Sequence, residues 1–166
     1  MSGEQLPVSD PEVLTVVIID DTADIRMLTR MALEMDSGIR VVAEAENGLT
    51  GIDVVGAHQP DVVILDMAMP VMDGLEALPH IKRASPVSRV LVVSGFDTAT
   101  MSASAMEAGA DGYLQKGAAP AVLVERVHEL AALADTAPVG SDHATAAEPP
   151  SLTGRAAPPD GASRPS

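Results

Sequence analysis

Val62-Val63-Ile64-Leu65-Asp66-Met67-Ala68-Met69-Pro70-Val71-Met72-Asp73-Gly74 is the stretch that decides the fold. It opens on four aliphatic residues in a row, with Pro60 supplying a turn before them and Asp66 closing the run. A strand buried on both faces reads as such a continuous run, and strands of that kind belong to parallel sheets covered by helices. Val16-Val17-Ile18-Ile19 is a second run, and it closes on Asp20-Asp21. Ligands of open parallel sheets sit just beyond the carboxyl ends of the strands. Two such strands deliver three carboxylates to one small place. At an effective dielectric near 20, unit charges about 4 Å apart repel by roughly 4 kcal/mol per pair. Asp20, Asp21 and Asp66 therefore need a cation or protons to coexist. The simplest reading is a divalent-metal site built around one reactive aspartate.

Outward from these two runs, aliphatic stretches alternate with segments of helical period. Strands are expected at residues 14–20, 39–46, 61–66, 89–94 and 113–115. Helices are expected at 22–35, 49–57, 75–83, 100–108 and from Pro120 to near residue 134, the last opening on a proline suited to a first helical turn. The first of them places Ile25, Leu28, Met31, Ala32 and Met35 on one face. Five strand–helix units in about 135 residues imply an α/β fold: a doubly wound, five-stranded parallel sheet in three layers with five helices. One folded domain is expected over residues 13–137, with a flexible arm over 1–12. Residues 138–166 are mostly Pro, Ala, Ser and Gly, too poor in aliphatics to offset the cost of ordering, so a disordered tail is expected there.

Composition narrows the function. Hydrophobic residues make up 46% of the 166, but aromatics only 1%, so the core is built from aliphatics and methionine and the two aromatics, Phe96 and Tyr113, stand out as candidate moving parts. A net charge of −14 argues against direct DNA binding, because phosphate backbones are held by clustered Lys and Arg. With no cysteine there is no thiolate metal site and no thiol nucleophile. The first twelve residues have neither a basic nor an apolar stretch, so no signal peptide is read. No run is long enough for a membrane span, and a cytoplasmic location with no membrane partner is expected. The histidines, His58, His80, His128 and His143, show no metal-ligand spacing and are expected on the surface.

The segment from Val62 to Gly74 resembles the phosphoacceptor strand and following loop of the receiver domains of two-component response regulators. The rest of that pattern stands in order: Asp20-Asp21 after the first strand, Ser94 after the fourth, Lys116 after the fifth. The resemblance runs from about Leu14 to Leu133. It implies a flavodoxin-like strand order, 2-1-3-4-5. It also implies that Asp66 takes a phosphoryl group from a sensor histidine kinase or a small phosphodonor. Mg²⁺ would be held by Asp21, by Asp20 mostly through water, by Asp66 and by the backbone carbonyl of Ala68. Such an ion prefers six oxygens and keeps several waters, which suits a shallow carboxylate-lined site. Lys116 would pair with Asp66 and then with a phosphoryl oxygen, and the Ser94 hydroxyl would bind another. Tyr113 sits where many receivers keep an aromatic switch residue. Gly95 leaves room for the phosphoryl group. Output would go to a downstream protein target, through the fourth helix, fifth strand and fifth helix, or to a histidine phosphotransfer protein. Beyond self-phosphorylation and autodephosphorylation, no enzymatic activity is expected.

Each residue has a plainer reading when taken alone. Asp21 could cap the first helix, Asp66 end a strand in a turn, Lys116 be a surface lysine, and Tyr113 fill an edge strand. The joint pattern outweighs these, because capping does not require acids, a hydroxyl and a lysine at successive strand ends. Two departures stand out. Gly117 follows the lysine where many receivers have proline, and Gly112-Tyr113-Leu114-Gln115-Lys116-Gly117 is more similar to receivers fused to a LuxR-type helix-turn-helix, yet the tail carries no helical period; a stand-alone receiver is expected. Ala68 and Phe96 offer no acid or base beside the acceptor, which points to a long-lived phosphoryl state. The alternatives are a degenerate receiver acting as a scaffold, and an aspartate-nucleophile phosphatase. The latter is disfavoured because Ala68 stands where such enzymes carry a second, proton-donating Asp.

Overall fold

The structure is a computed structural model that describes residues 12–95 and 99–135. The expected arm (Glu12 apart), the expected tail, Phe96 and His143 lie outside the described residues. Strands and helices alternate along the chain: β1 (Leu14–Ile19), α1 (Ala23–Glu34), β2 (Ile39–Ala45), α2 (Gly48–His58), β3 (Val62–Asp66), α3 (Gly74–Ala84), β4 (Arg89–Ser94), α4 (Ala99–Glu107), β5 (Gly112–Gln115) and α5 (Pro120–Asp135). All pairings are parallel and the strands lie in the order β2-β1-β3-β4-β5. The doubly wound five-stranded sheet and its order are those expected from the sequence.

The continuous aliphatic runs resolve into two cores, one on each face of the sheet, because successive strand residues point to opposite sides. Val17, Ile19, Val63 and Leu65 pack against α2, α3 and α4 through Val55, Leu78, Ile81 and Ala105. Val16, Ile18, Val62 and Ile64 pack against Leu33 of α1 and Val127 and Leu130 of α5. Two helix starts are set by short polar caps that satisfy otherwise unpaired backbone donors. Asn47 accepts from Thr50 N–H at 3.0 Å and Asp73 from Glu76 N–H at 2.8 Å.

Much of the expected apolar face of α1 faces solvent, with Ala32 half-buried and Ile25 36% exposed. Leu33 is the one buried residue of this helix, while Met27, Leu28, Met31 and Met35 are 55%, 58%, 59% and 85% exposed. Periodicity shows which residues share a face but not which way that face turns. Here the inward side is partly ionic: Arg26 and Arg30 reach Glu44 of β2 at 3.3 and 2.6 Å. Those pairs hold the polar flank of the helix against the sheet and roll the methionines outward.

Candidate acidic site at the carboxyl edge of the sheet

Asp66 is the last residue of β3 and Asp20 and Asp21 follow β1 directly, so the central two strands bring the three acids together. One carboxylate oxygen from each lies within 4.8 Å of the others. Asp66 and Asp20 are buried, at 2% and 5% exposure, and Asp21 is exposed. Lys116, the residue after β5, reaches across β4 to both buried acids, with Nζ 2.9 Å from Asp20 Oδ2 and 3.1 Å from Asp66 Oδ1. Asp20 Oδ1 accepts from Thr22 N–H at 2.8 Å, and Asp66 Oδ1 accepts from Ala68 N–H at 3.3 Å. Among the described residues, nothing hydrogen-bonds the buried Asp66 Oδ2. A buried carboxylate oxygen in that condition is costly unless something else occupies its lone pairs. The donor set is all oxygen, the chemistry of a hard divalent cation.

Electrostatics follow from this crowding. Burial, and then the neighbouring Asp20 charge, push the Asp66 carboxyl above the usual carboxylate value, while Lys116 and Ala68 N–H pull the other way and lose. Burial alone would lower the Lys116 ammonium, but its bonds to Asp20 and Asp66 outweigh that and hold it above the usual lysine value. Lys116 is thus a fixed cation of the site.

Two glycines shape it. Gly74 opens α3 with its N–H on the Met67 carbonyl at 3.0 Å, and a Cβ there would run into the carbonyl of Asp66 itself. Gly117 has φ +89°, in the region that L side chains avoid, and the Gln115 carbonyl accepts from Ala118 N–H at 3.3 Å across it. That turn presents Lys116, and it explains why glycine rather than proline follows the lysine, since proline is held near φ −65°.

Of the remaining expected residues, Ser94, Ala68 and Gly95 lie at this edge and Tyr113 lies deeper in the sheet. Ser94 ends β4, is 1% exposed, and its carbonyl accepts from Lys116 N–H at 2.7 Å. Ala68 is exposed on the loop after Asp66. Among the described residues other than its chain neighbours, a Cβ on Gly95 would meet no atom within 4 Å. Tyr113, level with Val92 in the sheet, is half-buried against the core beneath α4. The plainer reading of Asp21 fails, since Thr22 is the N-cap of α1. Reading the sequence missed Arg26, whose Nη1 donates to the Asp20 carbonyl at 2.6 Å. No local pattern marks a helix arginine whose partner, Glu44, lies on β2.

Comparisons with known proteins give the family. The family model of the response regulator receiver domain matches residues 16–128. Over 101 residues the chain is 38% identical to the chemotaxis protein CheY of Bacillus subtilis (strain 168), covering 61% of this chain and 83% of that protein. It is 42% identical over 110 residues to the protein-glutamate methylesterase/protein-glutamine glutaminase of group 2 operon of Rhodospirillum centenum, covering 65% of this chain but only 27% of that longer protein. Among solved structures, a LuxR-family two-component response regulator from Aurantimonas sp. SI85-9A1 superposes with a TM-score of 0.69 at 30% identity, covering 72% of this chain and 86% of that one. With the sheet order, the acid trio and the spanning lysine all in place, the chain belongs to the response regulator receiver domain family of two-component systems.

Proposed function

We propose that Asp66 is the phosphoacceptor of a two-component phosphorelay and that the acid trio holds Mg²⁺ while it reacts. The observation that carries this reading is the state of the Asp66 carboxylate, which gathers with those of Asp20 and Asp21: one oxygen is tied to Lys116 and Ala68 N–H, and the other is buried with no donor among the described residues. A lone strand-ending aspartate has no need of such an arrangement. Asp20, Asp21, Asp66 and the carbonyl of Ala68 would hold the ion, which would neutralise charge on the phosphoryl oxygens and on the acids around them. Asp66 attacks phosphorus, the bond to the donor (the imidazole nitrogen of a phosphohistidine, or the acyl oxygen of acetyl phosphate) breaks with its electron pair leaving on the donor, and an acyl phosphate remains. An ionised carboxylate needs no base for this step, so positioning and charge compensation are the main requirements. Lys116, held charged between Asp20 and Asp66, turns to a phosphoryl oxygen, and the Ser94 hydroxyl, at the adjacent strand end, binds another. The sensor histidine kinase supplies the group, and a downstream protein or a histidine phosphotransfer protein receives the signal or the phosphoryl group. Tyr113, half-buried against the core that includes Ala105 of α4, would couple the site to the α4–β5–α5 face.

The test is intact-mass measurement after incubation with acetyl phosphate and Mg²⁺. One phosphoryl adduct is expected, absent in Asp66→Asn and absent without Mg²⁺. An adduct that persists in Asp66→Asn would move the acceptor elsewhere. No adduct from acetyl phosphate or from phosphorylated kinases would leave a scaffold in place of a switch.

A further inference from the structure

Arg26 takes no part in the chemistry just described, yet it grips the backbone that carries the acids. Its Nη1 donates to the Asp20 carbonyl at 2.6 Å and its Nε to Glu44 Oε2 at 3.3 Å, with the side chain 17% exposed. The other Glu44 oxygen takes Arg30 Nε at 2.6 Å, and Arg30 continues to Glu34 at 3.3 Å. Asp20 is therefore held at both backbone groups, since its N–H donates to the Ala45 carbonyl of β2 at 3.1 Å. The gripped carbonyl belongs to the peptide that joins Asp20 to Asp21. A peptide group is planar and rigid, so fixing its carbonyl sets the direction in which Asp21 leaves the strand. Asp21 itself is exposed, and its side chain accepts from the Thr22 hydroxyl at a long 3.4 Å. Its aim depends on its backbone.

We propose that Arg26, anchored by Glu44, is a positioning residue for the divalent-cation site, orienting Asp20 and Asp21 by clamping the peptide between them. This rests on reading the acid trio as a metal site. The guanidinium is suited to the task because its separate N–H groups serve the carbonyl and Glu44 together, whereas a lysine ammonium is a single point.

A simple counter-charge role makes the opposite prediction, which makes the inference testable. If Arg26 acted only through its charge, Arg26→Met would tighten Mg²⁺ binding by removing a nearby cation, and Arg26→Lys would leave it unchanged. If Arg26 positions the acids, both variants weaken binding, as loss of an outer partner of metal ligands commonly does by about tenfold or more. The experiment is calorimetric titration of the full chain with Mg²⁺ for wild type, Arg26→Lys, Arg26→Met and Asp66→Asn, beside metal-free thermal midpoints. Weaker binding in Arg26→Lys with a near-native midpoint supports the proposal. Unchanged affinity in Arg26→Lys, or tighter binding in Arg26→Met, overturns it, and a fall in midpoint alone assigns Arg26 a purely structural role. Should Arg26→Met fail to fold, Arg26→Lys decides. If the wild type binds no Mg²⁺, or Asp66→Asn binds as tightly as wild type, the metal reading falls and the positioning role with it. That outcome is distinct from variants that differ in stability alone.

Discussion

Asp66 sits in a place that resists ionisation. Its carboxyl stands above the usual carboxylate value, first because it is buried and then because Asp20 is beside it. A group whose folded value is raised supports the fold below its unfolded value, and that support is lost as pH rises through the folded value. At neutral pH the metal-free protein therefore carries a cost at this residue. Asp66→Asn is expected to melt above wild type without Mg²⁺. With Mg²⁺ at 100 times its dissociation constant, wild type alone gains about 2.7 kcal/mol, and the order should reverse in paired thermal melts. Val71 carries a second local cost. It is β-branched and exposed, with φ +71°, and Met72 N–H donates to the Pro70 carbonyl at 2.8 Å across it. A three-residue turn with positive φ at its centre is strained and costs a non-glycine residue roughly 1–3 kcal/mol, so Val71→Gly should raise stability by about 0.5–1 kcal/mol after glycine's own entropic cost, as read from urea unfolding. The acids, Ser94 and Lys116 were legible because each ends an aliphatic run. The strain at Val71 was not, because nothing in Pro70-Val71-Met72 shows which way the chain must turn to reach Gly74.

At the scale of elements, α1 is the informative case. Its inward side is held by the pairs of Arg26 and Arg30 with Glu44, and a further contact, His128 Nε2 to Asp36 Oδ2 at 2.9 Å, joins α5 to the turn after α1. The outward side is a run of methionine and leucine beside a cleft of about 240 Å³ between α1 and the start of α5, lined in part by Ile25, Leu28, Leu114, Lys116 and Leu123. Adaptable methionines at exposed positions suit contact with another protein, and Lys116 of the site lines the same cleft. Leu28→Glu and Met31→Glu are expected to change stability by less than about 0.5 kcal/mol, as exposed substitutions do. They should slow phosphoryl transfer from a partner kinase while leaving acetyl phosphate labelling unchanged; equal slowing with both donors would show that the face shapes the site rather than docks a partner. The helix itself was legible from its period. Its rotation was decided by charged partners on β2.

The whole molecule is tied together at the edge opposite the site. Asp111, just before β5, binds Lys82 of α3 at 2.8 Å, Arg89 of β4 at 3.0 Å and Val90 N–H at 2.8 Å, while Arg89 Nη2 also donates to the Leu133 carbonyl of α5 at 3.1 Å. One carboxylate thus joins α3, β4, β5 and α5. Burial pushes its carboxyl up, but Lys82, Val90 N–H and Arg89 together outweigh burial and hold it below the usual value. A lowered folded value gives stability that is present above the unfolded value and lost as pH falls through the folded one. Wild type should therefore lose this contribution in acid, below the ordinary aspartate value of 3.8. Asp111→Asn is expected to be less stable at neutral pH by about 1–3 kcal/mol, with a shallower loss below pH 4, measured by urea unfolding at stepped pH. A parallel acid limb in wild type and variant would place the acid sensitivity elsewhere.

Read alone, the chain determined its class, its strand-and-helix alternation and the identity of the acidic site. Each of these is written locally: a strand buried on both faces must be continuously apolar, and in a parallel sheet every strand end falls on the same edge. Only the tertiary structure decided that Lys116 spans Asp20 and Asp66 together, that one oxygen of Asp66 is left bare, that Arg26 clamps the acid pair and that α1 turns its methionines outward. Those features depend on groups brought together from different elements, whose distances and burial exist only once the sheet has been assembled.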